Sequence, residues 1–112
     1  MTKGQKNKAD RLFSLKVRKI GYCQLLFQDK ISCSQVLQCA HIIGRANKRL
    51  RWDEQNALCI CSGHHVWYTH EPEAWRIIIK KEFPDKWEYV SKHRTEIWKG
   101  TIEEVLAKLQ GV

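Results

Sequence analysis

The chain lacks what would send it into or across a membrane. No run of about 18 apolar residues occurs, and the opening MTKGQKNKAD carries lysines in place of the apolar stretch of a secretory signal. A soluble, cytoplasmic protein is therefore expected. Acidic residues are also scarce: 12 Asp plus Glu face 20 Lys plus Arg, for a formal charge of +8. That surplus favours a polyanionic partner, nucleic acid ahead of membrane. No internal repeat appears, and no linker is long enough to divide the 112 residues, so one domain with one core is expected. The five cysteines are an odd number, and a cytosolic protein keeps thiols reduced. A disulfide framework is thereby excluded, and metal binding or burial is left for them.

What is present falls into four parts. Residues 1–8 hold three lysines and no core-forming run, and read as a flexible basic arm. From Ala9 the pattern changes: Ala9, Leu12, Phe13, Val17 and Ile20 share a face at helical period, and Gly21 follows as a stop. Between Tyr22 and Leu58 that period disappears, and two β-type stretches, VLQCAHI and NALCI, flank the basic segment RANKRLR. Arg45, Lys48, Arg49 and Arg51 within it are candidates for phosphate contact, the alternative being a solvated loop. Beyond residue 72 the chain is helical again. Pro72 and Glu73 suit a first turn, Pro84 breaks that helix and can start another, and Thr101 with Glu104 makes a capping pair before the stripe Ile102, Val105, Leu106, Leu109. Trp75, Trp87 and Trp98 read as packing residues.

Between Cys23 and His70 lie four of the five histidines and all the cysteines, a density typical of metal sites. His41 ends the first strand, Asn56 opens the second, and His65 enters the following helix. CAHIIGR followed by RWDEQNALCICSGHH resembles the HNH nucleases, and in particular the phage recombination endonucleases of the NinG (Rap) kind. The helix ADRLFSLKVRKIGYC and the stretch WYTHEP extend the likeness from about Ala9 to Pro72.

That resemblance implies an α+β fold: a small ββα-metal (HNH) core over residues 36–72, stapled by a zinc knuckle, with an N-terminal helix before it and C-terminal helices over 72–110, all within one domain, 9–112. It implies a DNA endonuclease, cytoplasmic in a bacterial host if phage-encoded, acting on duplex or branched DNA and leaving 5′-phosphate and 3′-hydroxyl ends. His41 would be the general base and His65 a ligand of a catalytic divalent ion, Mg²⁺ or Mn²⁺ and failing these Zn²⁺ or Ni²⁺. Asn56 would tie the strands together or reach the metal. The related enzymes hold a structural zinc with two cysteine pairs; here Cys23, Cys33, Cys61 and His64 would serve, with QLLFQDKIS as an insertion between the first two. Cys39 or Cys59 could replace Cys33, and otherwise both are buried small hydrophobes.

The chain also departs from the family. Many HNH enzymes place a metal ligand directly before the general base, where this chain has Ala40. His70 is the candidate to complete the shell, with Asp53 or Glu54 as alternatives, and a surface role for His70 equally open. Double-strand cleavage by one such site would call for a homodimer or two encounters. The competing reading is a non-catalytic zinc module that binds DNA or a protein partner through RANKRLR.

Overall fold

The computed structural model describes residues 1–111. Helix α1 runs Lys3–Arg18, β1 Leu37–His41, α2 Lys48–Arg51, β2 Ala57–Cys61, α3 Ser62–Thr69, α4 Pro72–Glu82, α5 Pro84–His93 and α6 Ile102–Leu109. The strands form one antiparallel pair in which Cys39 faces Cys59 and His41 faces Ala57. The result is a small α+β structure, with β1, β2 and α3 inside residues 36–72. None of its described helices is long and apolar enough to cross a membrane.

Alternation along the strands gives the sheet two apolar faces. Ala57 and Cys59 pack with Ala9, Phe13 and Val17 of α1 and Ile102 of α6. Ala40, Leu58 and Ile60 turn the other way, onto Tyr68, Ile79 and Val90 from α3, α4 and α5. With every residue of β2 buried, the sheet is held between two helical layers and its short length is compensated by cover on both sides.

The expected flexible arm is corrected. Residues 3–8 are the first turns of α1, because Thr2 and Gln5 close a reciprocal capping box: Thr2 Oγ1 accepts the Gln5 N–H at 3.0 Å and Gln5 Oε1 accepts the Thr2 N–H at 2.9 Å. Gln5 Nε2 also donates to Glu103 on α6 at 3.4 Å. The basic segment differs too: Asn47 accepts the Leu50 N–H and caps a single helical turn, α2, where a loop is expected.

The C-terminal helices follow their signals. Pro72 and Pro84 each open a helix, where a missing N–H costs nothing. Thr101 Oγ1 accepts the Glu104 N–H at 3.2 Å and donates back to its carboxylate at 3.1 Å. Trp75 and Trp87 pack on one core cluster and Trp98 on the other.

Candidate functional site

The Cys61–Ser62–Gly63–His64 run crosses from β2 into α3. Cys61 is the N-cap and His64 the third helical residue, a spacing that turns both side chains to one side of the first turn. Cys61 Sγ accepts the His64 backbone N–H at 3.4 Å, as a serine oxygen would. Cys23 arrives along the sheet edge, where Gln24 exchanges hydrogen bonds of 2.8 Å with the Cys59 backbone, one through its N–H and one through its side chain. Cys33 arrives on a segment docked against the start of α3: Ser34 Oγ lies 2.6 Å from Ser62 Oγ and accepts the Gly63 N–H. A Cβ at Gly63 would stand 3.2 Å from Ser32 O, so glycine permits this approach.

The ligand atoms of Cys23, Cys33, Cys61 and His64 all lie within 4.8 Å of one another. His64 Nδ1 is 3.0 Å from Cys61 Sγ, 3.6 Å from Cys33 Sγ and 3.7 Å from Cys23 Sγ. Zinc bonds of roughly 2.3 Å to sulfur and 2.0 Å to nitrogen put tetrahedral S and N corners about 3.6 Å apart. The four residues can therefore hold a metal ion, and three sulfurs with one imidazole suit zinc over a hard cation. Acidities point the same way. Burial raises the Cys61 thiol, but hydrogen bonds from His64 and Ser34 outweigh it and bring it down to about 6. Desolvation, followed by the sulfurs of Cys23 and Cys61, pushes Cys33 up to about 12. Sulfurs this close cannot all carry charge without a cation among them. Cys39 and Cys59 lie outside the cluster, paired across the sheet.

Asp29 is the residue that sequence reasoning passes over. It sits in the QLLFQDKIS segment, its Oδ1 2.9 Å from His64 Nε2 and its Oδ2 accepting the Tyr68 hydroxyl at 2.6 Å. A carboxylate on the far nitrogen of a ligating histidine fixes the tautomer that frees the near nitrogen. The segment thus supports the site, anchored by buried Leu25. Asp29→Asn is expected to weaken zinc binding about 10- to 100-fold, read by competition with a chromophoric chelator; unchanged affinity would remove Asp29 from the site.

His65, next along α3, faces elsewhere. A cleft of about 340 Å³ is lined by Asp10, Ser14, Cys39, His41, Arg45 and His65. A smaller one of about 70 Å³ lies against Ala40, Ile60 and Tyr68, and His41 and His65 are the two residues common to both. His41 Nε2 is 2.9 Å from Arg51 O, which only accepts, so Nε2 carries the proton and Nδ1 the lone pair. Phe13 stacks on the ring at 5.6 Å. His65 Nδ1 is 2.7 Å from Gln38 Oε1, which leaves Nε2 as its open nitrogen. Among the described residues no buried side-chain nitrogen lacks a partner, so neither open nitrogen is sealed in the interior. Burial holds both imidazoles below their ordinary value, for His41 against the opposing pull of the Arg51 carbonyl. Burial thus favours the neutral form of both rings.

No family model, curated protein or solved structure matches the chain. The site is therefore read from its own geometry.

Asn56 is wholly buried and wholly used. Its Oδ1 accepts the Ile43 N–H at 2.7 Å, and its Nδ2 donates to Ile43 O at 2.9 Å and Leu50 O at 3.1 Å. The side chain ties the loop between the strands to the mouth of the sheet, and it lines neither histidine cleft. Asn56→Ala is expected to cost about 2–4 kcal/mol, because it strands buried backbone groups; denaturant unfolding measures it, and a loss near zero would show that the loop holds without the tie.

His70 is exposed at the end of α3 and lines neither cleft with His41 and His65. Asp53 is engaged by Arg49 and Tyr89, and Glu54 by Lys16. The basic run divides likewise. Arg51 grips Asp10 through two bonds of 2.6 and 3.0 Å, and Trp52 Nε1 donates to the same carboxylate at 2.9 Å. Burial raises Asp10, yet these partners hold it below the usual carboxylate range. Arg49 pairs with Asp53 and Glu96. Arg45 and Lys48 remain exposed, Arg45 at the lip of the histidine cleft, 3.6 Å from Asp10.

Proposed function

We propose that the chain is a DNA endonuclease of the HNH kind, built on a ββα core around a structural zinc, with His41 as its general base. The observation that carries this reading is the sharing of both clefts by His41 and His65, each ring fixed by a hydrogen bond that leaves one nitrogen open. Neutral His41, its Nε2–H held by Arg51 O, takes through Nδ1 the proton of the water that attacks phosphorus, while the bond from phosphorus to the 3′ oxygen breaks and that oxygen takes a proton from solvent. Arg45 at the cleft lip offers positive charge to the phosphate oxygens. Arg51 acts indirectly, locking Asp10 and orienting His41 through its carbonyl. Asn56 holds the loop that carries this carbonyl.

The catalytic divalent ion that the resemblance implies does not find its ligands here. His65 presents one open nitrogen, Ala40 offers no donor, and His70 lies outside the cleft. This same shortage favours a second reading, a zinc-stabilised module that binds DNA through Arg45 and Lys48 without cutting it.

Incubation of supercoiled and branched DNA with the protein in Mg²⁺, Mn²⁺ or chelator separates the two. Cleavage supports the nuclease. Salt-sensitive binding with no cleavage under any metal leaves the binding module.

A further inference from the structure

Neither the Cys₃His cluster nor the histidine cleft uses the groove that runs between α2, the segment 97–100 and α6. It encloses about 440 Å³. Its floor is apolar: Ile97 stands 81% exposed beside Trp98 and Leu109. Its rim has a surplus of positive charge: Lys48, Lys99 and Lys108 line it and among the described residues join no ion pair, while the one carboxylate on it, Asp53, is paired with Arg49. The floor is also firmly built. Trp98 rests on Trp52 with ring centroids 5.7 Å apart, and Gly100 comes so near that a Cβ there would lie 2.8 Å from Trp98 Nε1.

We propose that this groove binds a short acidic segment of a partner protein, with one apolar side chain on Ile97 and Trp98 and carboxylates against the lysine rim. Charge complementarity selects an anionic partner, and the floor decides which kind. Single-stranded nucleic acid needs aromatic planes on which bases stack. Here Trp52 is 9% exposed with its N–H spent on Asp10, and Trp98 is taken up by Trp52 and Gly100. What remains open is the aliphatic Ile97 with only a part of Trp98, an apolar patch that suits a leucine or phenylalanine side chain. Apolar anchoring under a charged rim is the ordinary anatomy of a peptide site.

The test uses the full chain and a fluorescein-labelled peptide rich in aspartate with one Phe–Leu pair, a control peptide with serines in place of that pair, and oligothymidylate. Anisotropy should show salt-sensitive binding of the first peptide. Ile97→Asp and Lys99→Glu should each weaken it at least about tenfold, with circular dichroism and zinc content unchanged, since both positions are exposed. Absence of binding, or equal binding of the serine control, would overturn the proposal. So would oligothymidylate binding that the same two variants abolish, which would make the groove a nucleic-acid path. DNA cleavage is not read, so the outcome is independent of the nuclease reading.

Discussion

Cys61→Ser is expected to abolish stoichiometric zinc binding and to remove on the order of 3–5 kcal/mol of stability, more than any surface change in this chain. Zinc bound to the folded chain alone adds its binding energy to the folding equilibrium. The sheet has only two strands, and three segments that do not follow one another meet at the cluster: the Cys23 edge, the Cys33 segment and the start of α3. Serine keeps an oxygen able to cap α3, so the loss reports the metal and not the cap. Metal analysis of the purified protein should give one zinc per chain before the substitution and none after. Urea unfolding of the natural chain with chelator should reproduce the deficit. A chain stripped of metal that unfolds at the same urea concentration would refute a structural zinc.

His41→Ala is expected to lower DNA cleavage about 10²- to 10⁴-fold, the usual contribution of a general base, and to leave DNA affinity and zinc content as they were. Because burial depresses the His41 value, the acidic limb of the rate profile should lie below the ordinary histidine value of about 6.5. The sign for stability follows from the same shift. The unfolded chain takes up the His41 proton more readily than the folded one, so this group's contribution is complete above about 6.5 and is lost as pH falls through the depressed value. His64 and His65 should separate in the same assays: His64→Ala loses zinc and stability, His65→Ala loses cleavage and keeps the fold. Cleavage that survives His41→Ala, or the opposite behaviour of the two neighbours, would sink the mechanism.

Legibility in the sequence tracked how local each interaction is. Pro72, Pro84 and the Thr101–Glu104 pair act within one helical turn, so α4, α5 and α6 stand where their signals put them. Both strands are marked as well, as two β-type stretches flanking a polar segment where the helical period stops. The Thr2–Gln5 box is just as local, but the lysine run around it reads as a tail. Long-range effects are hidden. Arg51 looks like a free phosphate contact until Asp10, 41 residues earlier, is brought beside it. Likewise Asp29 sits in what looks like an insertion, and its value appears only when His64 and Tyr68 arrive from 35 and 39 residues away. The Cys23–Cys33–Cys61–His64 grouping comes from kinship reasoning and is met by the geometry. The same reasoning brings His70 toward the cleft, whereas α3 ends with it outside.

The double duty of Cys61 bears on how the cluster assembles in time. Cys61 and His64 are three residues apart and are joined by the first turn of α3, so bringing them together closes almost no loop. Recruiting Cys33 and Cys23 spans 28 and 38 residues of chain, and closure entropy grows with that length. A chain still searching for its fold thus owns half a coordination sphere at the price of one helical turn. Closure entropy therefore favours an order in which Cys61 and His64 are paired first and the sheet edge and the Asp29 loop join later.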